Sequence, residues 1–445
     1  MASSSSSSLS SSPPAWSAIV LTCQNKTSAD AFKKELDIRQ NEGFIDKNTR
    51  ILAIEDPKSR VGSGGATLNA LLVVTEHLSA EAGFTTMDAS VISKSRILIM
   101  LMGRDYPFSP YGRAFTTLPA KHSNSHSVSL ADSLVTNFDC LLHYLTNNIC
   151  RDSPHGVWVS STDMMLSVPS NTEINWASIS EDIVLLLYES EIDYAKLHGT
   201  CKLDDKGIVK NMIYKGSEEE LKDFALPNGH DKLKVPIVGS TVFFSEKAVA
   251  KLLTLHSYPP LDACTYYGLD NGAKPIQIGL FFHILLTMAT DISEKDFVHG
   301  KPSGAYGRST RTGVKKMTDE EMELMTGARK TLWTHLRGMK VQGVVMKDCK
   351  FKYMTPTGLC YQILVSKPLK KFKKNNLPYQ TEHQMHVATE GEGQSIHEEA
   401  IVMNSVIKGP ITVGENSVIS HCYLQVCMIH TNTQQAVAKL MLVLK

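Results

Sequence analysis

The sequence lacks several features that would each name a class of protein. No run approaches eighteen consecutive apolar residues, which argues against a membrane-spanning helix. Charge of one sign is missing too: Lys+Arg 46 against Asp+Glu 45 gives a formal net charge of +1. That balance gives no support for binding nucleic acid or an anionic membrane, so any charge that binds phosphate must be local. The nine cysteines are scattered, odd in number and form no Cys-x-x-Cys pair. This argues against a zinc site and a disulfide framework and fits free thiols in the cytoplasm. The serine tract that leads to Pro13-Pro14 has neither a basic end nor an apolar core, so residues 1–15 read as a disordered tail and not a targeting signal.

What the chain does have is a strand, a glycine-rich loop and a helix in succession. Thr49 to Asp56 reads as a short buried strand that stops at Pro57. Arg60-Val61-Gly62-Ser63-Gly64-Gly65-Ala66-Thr67 follows, and Leu68 to Leu78 continues as a helix with Leu71, Val74 and Leu78 on one side. Glycine lets backbone N–H groups approach an anion, and a helix N-terminus adds unpaired donors. The loop lacks the Lys-Ser/Thr of a P-loop, and by itself it reads equally as a tight strand-to-helix turn. Gly62, Ser63, Gly64, Gly65 and Thr67 are the candidate phosphate cradle.

A second apolar run, Arg96 to Met102, reads as a strand buried on both faces. It ends at Gly103-Arg104-Asp105-Tyr106-Pro107, and Gly112-Arg113-Ala114-Phe115-Thr116-Thr117-Leu118-Pro119 follows. Glycine and cations just beyond a central strand lie where open α/β sheets bind ligands. Here the chain resembles the fucose-1-phosphate guanylyltransferase (GDP-fucose pyrophosphorylase) family and, more closely, the amino-terminal half of animal L-fucose kinases. Gly156 to Met164, Val242 to Ser245 and Pro259 to Asp270 carry the same resemblance, which spans about Trp16 to His430.

The resemblance implies an α/β sheet of the sugar-nucleotidyltransferase (Rossmann-like) type over about 16–395, and a role in GDP-fucose salvage. The implied ligands are a nucleotide (a nucleoside triphosphate as the family substrate), fucose or fucose 1-phosphate, and Mg²⁺. Nucleotidyl transfer needs a backbone cradle, cations on the phosphates and carboxylates for the metal. Gly103, Arg104 and Arg113 are the candidates at the phosphates, Asp163 the Mg²⁺ carboxylate or a turn cap, and Asp262 a sugar ligand or a turn closure. The loop at 103–111 is shorter than in active pyrophosphorylases, with Arg104 and Arg113 where the family has glycine and lysine. The phosphate loop of the fucokinase domain, Pro-x-x-x-Gly-Leu-Gly-Ser-Ser-Ala, does not occur. The expectation is a region of an L-fucose kinase without its kinase domain, binding ligands or serving as a scaffold. An active guanylyltransferase and an incomplete gene product are the alternatives.

Alternating apolar runs and amphipathic stretches from Ser17 to about Thr290 predict a parallel or mostly parallel sheet with helices on both faces. Helices are expected over Ala29–Gln40, Leu134–Asn147 and 318–338, the last burying Met322, Met325, Leu332 and Leu336. Residues 294–318 read as an exposed loop, and Lys367 to Lys374 as a solvated segment. From about 399 the period changes. Ile401, Ile407, Val413 and Ile419 recur every six residues with Gly409 and Gly414 between them, which predicts a short, truncated left-handed β-helix over 399–430. These four residues should line its interior at the ~4.7–4.9 Å strand spacing. Gln425, falling at the next interior position, would leave an edge open to self-association. Residues 431–445 read as an atypical tail with a short helix after Thr433.

Overall fold

The computed structural model describes residues 16–57, 61–103, 112–122, 134–226, 233–300, 318–354, 379–381, 383–425 and 428–429. Arg104, the basic run at 367–374 and the segment after Thr433 lie outside the described residues.

In chain order the strands of the first part are β1 (Ala18–Cys23), β2 (Arg50–Glu55), β3 (Arg96–Leu101), β4 (Thr117–His122), β5 (Leu134–Thr136), β6 (Gly156–Ser161), β7 (Met164–Ser167), β8 (Ile183–Glu191), β9 (Gly199–Leu203), β10 (Val209–Tyr214), β11 (Lys234–Phe244), β12 (Val341–Met346) and β13 (Lys350–Tyr353). Nine of them form one sheet whose main path is β10-β9-β11-β6-β3-β1-β2, with β8 and β12 branching from β11. The strands β2, β1, β3 and β6 are mutually parallel. The long β11 runs antiparallel to β6, β8 and β9, so the sheet is mixed and not mostly parallel. Its register on β8 shifts between Val238 and Val242, and Ser240 there takes φ 56°. The bulge opens the middle of the strand, a common device beside ligand sites.

The strands alternate between two cores. Ala18, Val20, Ile97, Ile99, Val157 and Val159 join one cluster, and Ile19, Leu21, Leu98, Met100 and Trp158 the other. On the first face lies the helix Gly62–Glu81, which buries Leu71, Val74 and Leu78 as its spacing predicts. On the second lies α1 (Lys26–Asn41), capped by the Asn25 side chain on Ser28 N and burying Ala29, Phe32 and Leu36. We label Gly62–Glu81 α2. The sheet is therefore covered by helices on both faces, as expected.

Three expectations change. Leu134–Thr136 pairs with β4 as a strand, so the helix α3 starts at Asn137; it runs to Tyr144 and continues as a π-helical turn over Leu145–Ile149, which covers the expected end. Thr136 and Asp139 form a capping box that starts the helix there, a signal that overrides the apolar run before it. Within the expected loop at 294–318, Glu294–Val298 is helical, capped by Ser293 and buried through Phe297 and Val298. The helix Asp319–Leu336 buries Met325, Ala328, Leu332 and Leu336, but Met322 is exposed, one turn ahead of where the helix meets the core.

The last part holds β14 (Tyr379–Thr381), β15 (Gln384–Glu390), β16 (Ser395–Ile396), β17 (Ile401–Lys408), β18 (Thr412–Val413), β19 (Val418–Ser420), β20 (Tyr423–Gln425) and β21 (Met428–Ile429). Strand β14 pairs with β4, whereas the others form two small parallel sheets, one built on β17 and one on β18. All four six-residue positions are buried. They do not stack on each other, however: Ile401 pairs with Val418, Ile407 with Leu424 and Val413 with Ile429. The shared cluster takes Val402 and Ile419 in place of Ile401, together with Leu424. Leu424, not the exposed Gln425, fills the next interior position, so the polar gap expected at Gln425 is absent. No helix among the described residues is long and apolar enough to cross a membrane.

Candidate nucleotide and sugar-phosphate site

A cavity of about 380 Å³ opens at the carboxyl ends of the parallel strands. Thr22, Cys23 and Gln24 reach it from β1, Asp56 from the end of β2, Leu101 and Gly103 from β3, and Ser161 and Asp163 from β6. Strands β2 and β3 flank β1 on opposite sides. The chain therefore reverses its direction of winding at β1, and such reversals leave the crevice in which open α/β sheets hold ligands. A cluster rich in aromatic rings, His198, Tyr214, Ser240, Phe282, Phe351 and Tyr353, completes the lining.

The cation at its centre is Arg113, only 8% exposed. Its Nε donates to Met102 O at 2.8 Å and its Nη1 to Asp163 Oδ2 at 2.8 Å. Gly103 is needed for this seat. It takes φ +63°, and a β-carbon there would fall 1.1 Å from Arg113 Nη2. The residues after Arg113 are anchors: Phe138 N donates to Ala114 O at 2.7 Å and Asn137 N to Thr116 O at 3.0 Å. Phe115 packs in the core between Phe32 and Phe138, each at 5.3 Å, with the Arg39 guanidinium 5.0 Å from its centre. Arg39 in turn pairs with the buried Asp139. Burial alone would push the Asp139 carboxyl up, but the Arg39 charge and hydrogen bonds from Arg39 and Thr136 hold it below the usual carboxylate range. One buried arginine thus holds the frame and the other faces the cavity.

Asp163 is held on both sides. Thr162 donates from its hydroxyl to Leu101 O at 3.1 Å, and Asn137 Nδ2 donates to Thr162 O and Met164 O. The carboxylate itself accepts from Ser161 Oγ and from Arg113. Asp163 and Asp56 are the carboxylates on the cavity wall, but among the described residues no three His, Cys, Asp or Glu side chains gather as a metal site. With the Asp163 charge already matched by Arg113, this arrangement is a poor fit for Mg²⁺, and no step is built through the ion.

The glycine loop meets the cavity through Gly62, Ser63 and Ala66, and not through Gly64 or Gly65. The amides of Gly64 and Gly65 both donate to Ile278 O, at 2.7 and 3.2 Å, and Ile278 N donates to Val61 O. A β-carbon on Gly62 would fall 2.6 Å from Ile278 O, and one on Gly64 2.9 Å from Gly279 C. In this structure the glycines therefore admit the 276–280 segment, and two of the amides expected to cradle phosphate are taken. Thr67 is buried and donates to Ser63 O inside α2, away from the cavity lining. Asp262 is not at the cavity either. Its carboxylate accepts from Ala263 N and its carbonyl from Thr265, the turn-closing arrangement.

Sequence reasoning missed the aromatic end. His198 is 9% exposed, and burial, followed by nearby Lys352, lowers its pKa to about 4. Its ring lies 4.2 Å from Tyr194 and within 6 Å of Phe351 and Tyr353. Tyr194 and His198 lie just ahead of β9, whereas Phe351 and Tyr353 come from the distant strand β13, and no local motif announces the cluster.

Over 122 residues the chain is 33% identical to the bifunctional fucokinase/GDP-fucose pyrophosphorylase of Arabidopsis thaliana, a stretch that is 24% of this chain and 12% of that protein. The matched part is thus a small fraction of that relative. The fucose pyrophosphorylase domain matches residues 89–434. That span contains Arg113, Asp163, the aromatic end of the cavity and the small parallel sheets, while the glycine loop lies before it. The chain belongs to the fucose pyrophosphorylase family.

Proposed function

We propose that this chain is a nucleotide- and sugar-phosphate-binding region acting in GDP-fucose salvage, and that it binds without transferring a nucleotidyl group. Its sheet is read as the sugar-nucleotidyltransferase type and its terminal parallel sheets as coils of a β-helix. The relative's name joins a fucokinase to a pyrophosphorylase, and on that analogy this region would be the non-kinase part of such an enzyme. A cytoplasmic setting agrees with the seven described cysteines, all free.

The observation that carries the reading is the Arg113–Asp163 pair at the centre of the cavity. Arginine offers a planar fork suited to phosphate oxygens, so the site keeps a phosphate-binding cation. The same pair occupies the carboxylate that transfer chemistry would need for a metal. Binding a phosphate would draw Arg113 away from Asp163, and the exchange of one ion pair for another makes for modest affinity.

The second reading, an active Mg²⁺-dependent guanylyltransferase, is favoured by the presence of both Asp56 and Asp163 on the wall. One assay separates the two: GDP-fucose formation from GTP, fucose 1-phosphate and Mg²⁺. The binding reading expects no product above a no-enzyme control. Robust product that disappears in Asp163→Asn would establish the second reading.

A further inference from the structure

The aromatic end of the cavity holds an imidazole open to a ligand. Among the described residues no hydrogen bond reaches the His198 imidazole, although the side chain is nine-tenths buried and lines the cavity. Its polar ties are through the backbone, where His198 N donates to Ala195 O and His198 O accepts from Lys215 N. The ring nitrogens are not among the fully buried polar atoms that lack a partner, so they stay accessible and can exchange water for a ligand group.

The surroundings define the ligand. Tyr194, Phe351 and Tyr353 fix the ring from three sides, and Tyr353 continues from β13 into Met354, whose N–H donates to Asp163 O at 2.8 Å. The aromatic end thus adjoins the Arg113–Asp163 centre through one residue. Tyr214 and Phe282, edge to face at 5.7 Å, also line the cavity. A neutral imidazole presents one donor and one acceptor, the complement of a hydroxyl and not of a phosphate, which only accepts. Aromatic faces suit the C–H surface of a pyranose and, above all, an apolar methyl substituent.

Resting on the functional reading above, we propose that this end is the deoxyhexose subsite: a sugar whose 1-phosphate sits at Arg113 lays its C–H face and methyl group against Phe351 and Tyr353. One of its hydroxyls then completes the hydrogen bonding of His198. The rest of a sugar nucleotide extends the other way, toward Gly62 and Ser63. His198 is a specificity residue in this arrangement and takes no part in bond making.

Calorimetry with L-fucose 1-phosphate, GDP and GDP-fucose tests it. His198→Leu should weaken fucose 1-phosphate and GDP-fucose by about tenfold, the value of one lost hydrogen bond with a stranded partner, and leave GDP unchanged. His198→Asn, which keeps a donor and an acceptor, should restore part of the loss. On the unaltered protein, saturation-transfer NMR should show the fucose methyl as the most strongly contacted group. Equal weakening of GDP would assign this end to the base and overturn the proposal, as would unchanged sugar binding in His198→Leu. A folded wild-type chain that binds none of the three would overturn the functional reading and the subsite with it.

Discussion

Two buried histidines set how single residues respond to pH. His283 is 2% exposed, and its Nδ1 accepts from Gly279 N at 2.8 Å. Burial, with a contribution from Arg329, lowers its pKa to about 3. His198, facing Lys352, Lys215 and Asp163, is lowered to about 4. In both, the unfolded chain binds a proton that the folded chain refuses, so stability is full above the ordinary histidine value of about 6.5 and falls as pH drops below it. Asp139, held below its usual range, acts with the same sign at lower pH. The denaturation midpoint should therefore fall between pH ~7 and pH ~5. His283→Asn, which keeps an acceptor for Gly279, should flatten that slope. A midpoint unchanged over this interval would show that these imidazoles are protonated in the fold. No local pattern points to either histidine, because their burial comes from tertiary packing. Arg113 and Asp163 were legible as candidates from the strand ends they follow, but their mutual pairing was not.

At the scale of elements, the β1–β3 strands and the helices α1 and α2 follow from local pattern: continuous apolar runs and stripes spaced by one helical turn. The glycine loop shows where pattern stops. A strand, glycines and a helix identify the turn, but its partner, Ile278, comes from more than two hundred positions away in the sequence. This gives a prediction of sign. In a helix, glycine to alanine normally stabilises by about 1 kcal/mol. At Gly64 the added carbon would meet backbone atoms of Ile278 and Gly279 at 2.9 Å, and backbone cannot yield as a side chain can. Gly64→Ala should lower the melting temperature, with Gly327→Ala, whose nearest neighbour is at 3.8 Å, as the permissive control. A stabilised Gly64→Ala would mean that the 276–280 segment does not dock on the loop. The six-residue period near the carboxyl end was likewise a correct sign of buried positions, but periodicity cannot show which turn stacks on which. Ile401 meets Val418 and not Ile407, since Ile401 and Ile407 lie on the same strand, β17.

For the molecule as a whole, the two kinds of architecture are joined. Strand β4 packs against β15 and β17, and Thr117 Oγ1 lies 3.5 Å from His421 Nε2. The same segment that seats Arg113 therefore touches the terminal sheets, and the family domain runs across both, from 89 to 434. What unites the account is the cation at the strand ends. The most direct measurement is calorimetric titration of GDP-fucose into the wild-type chain and Arg113→Gln, each shown to be folded. The account predicts binding to the wild type, and at least a tenfold loss in the variant, as expected for losing a charge-assisted contact of about 1.5–3 kcal/mol. Equal affinity in the two proteins, or no binding by either, would contradict it.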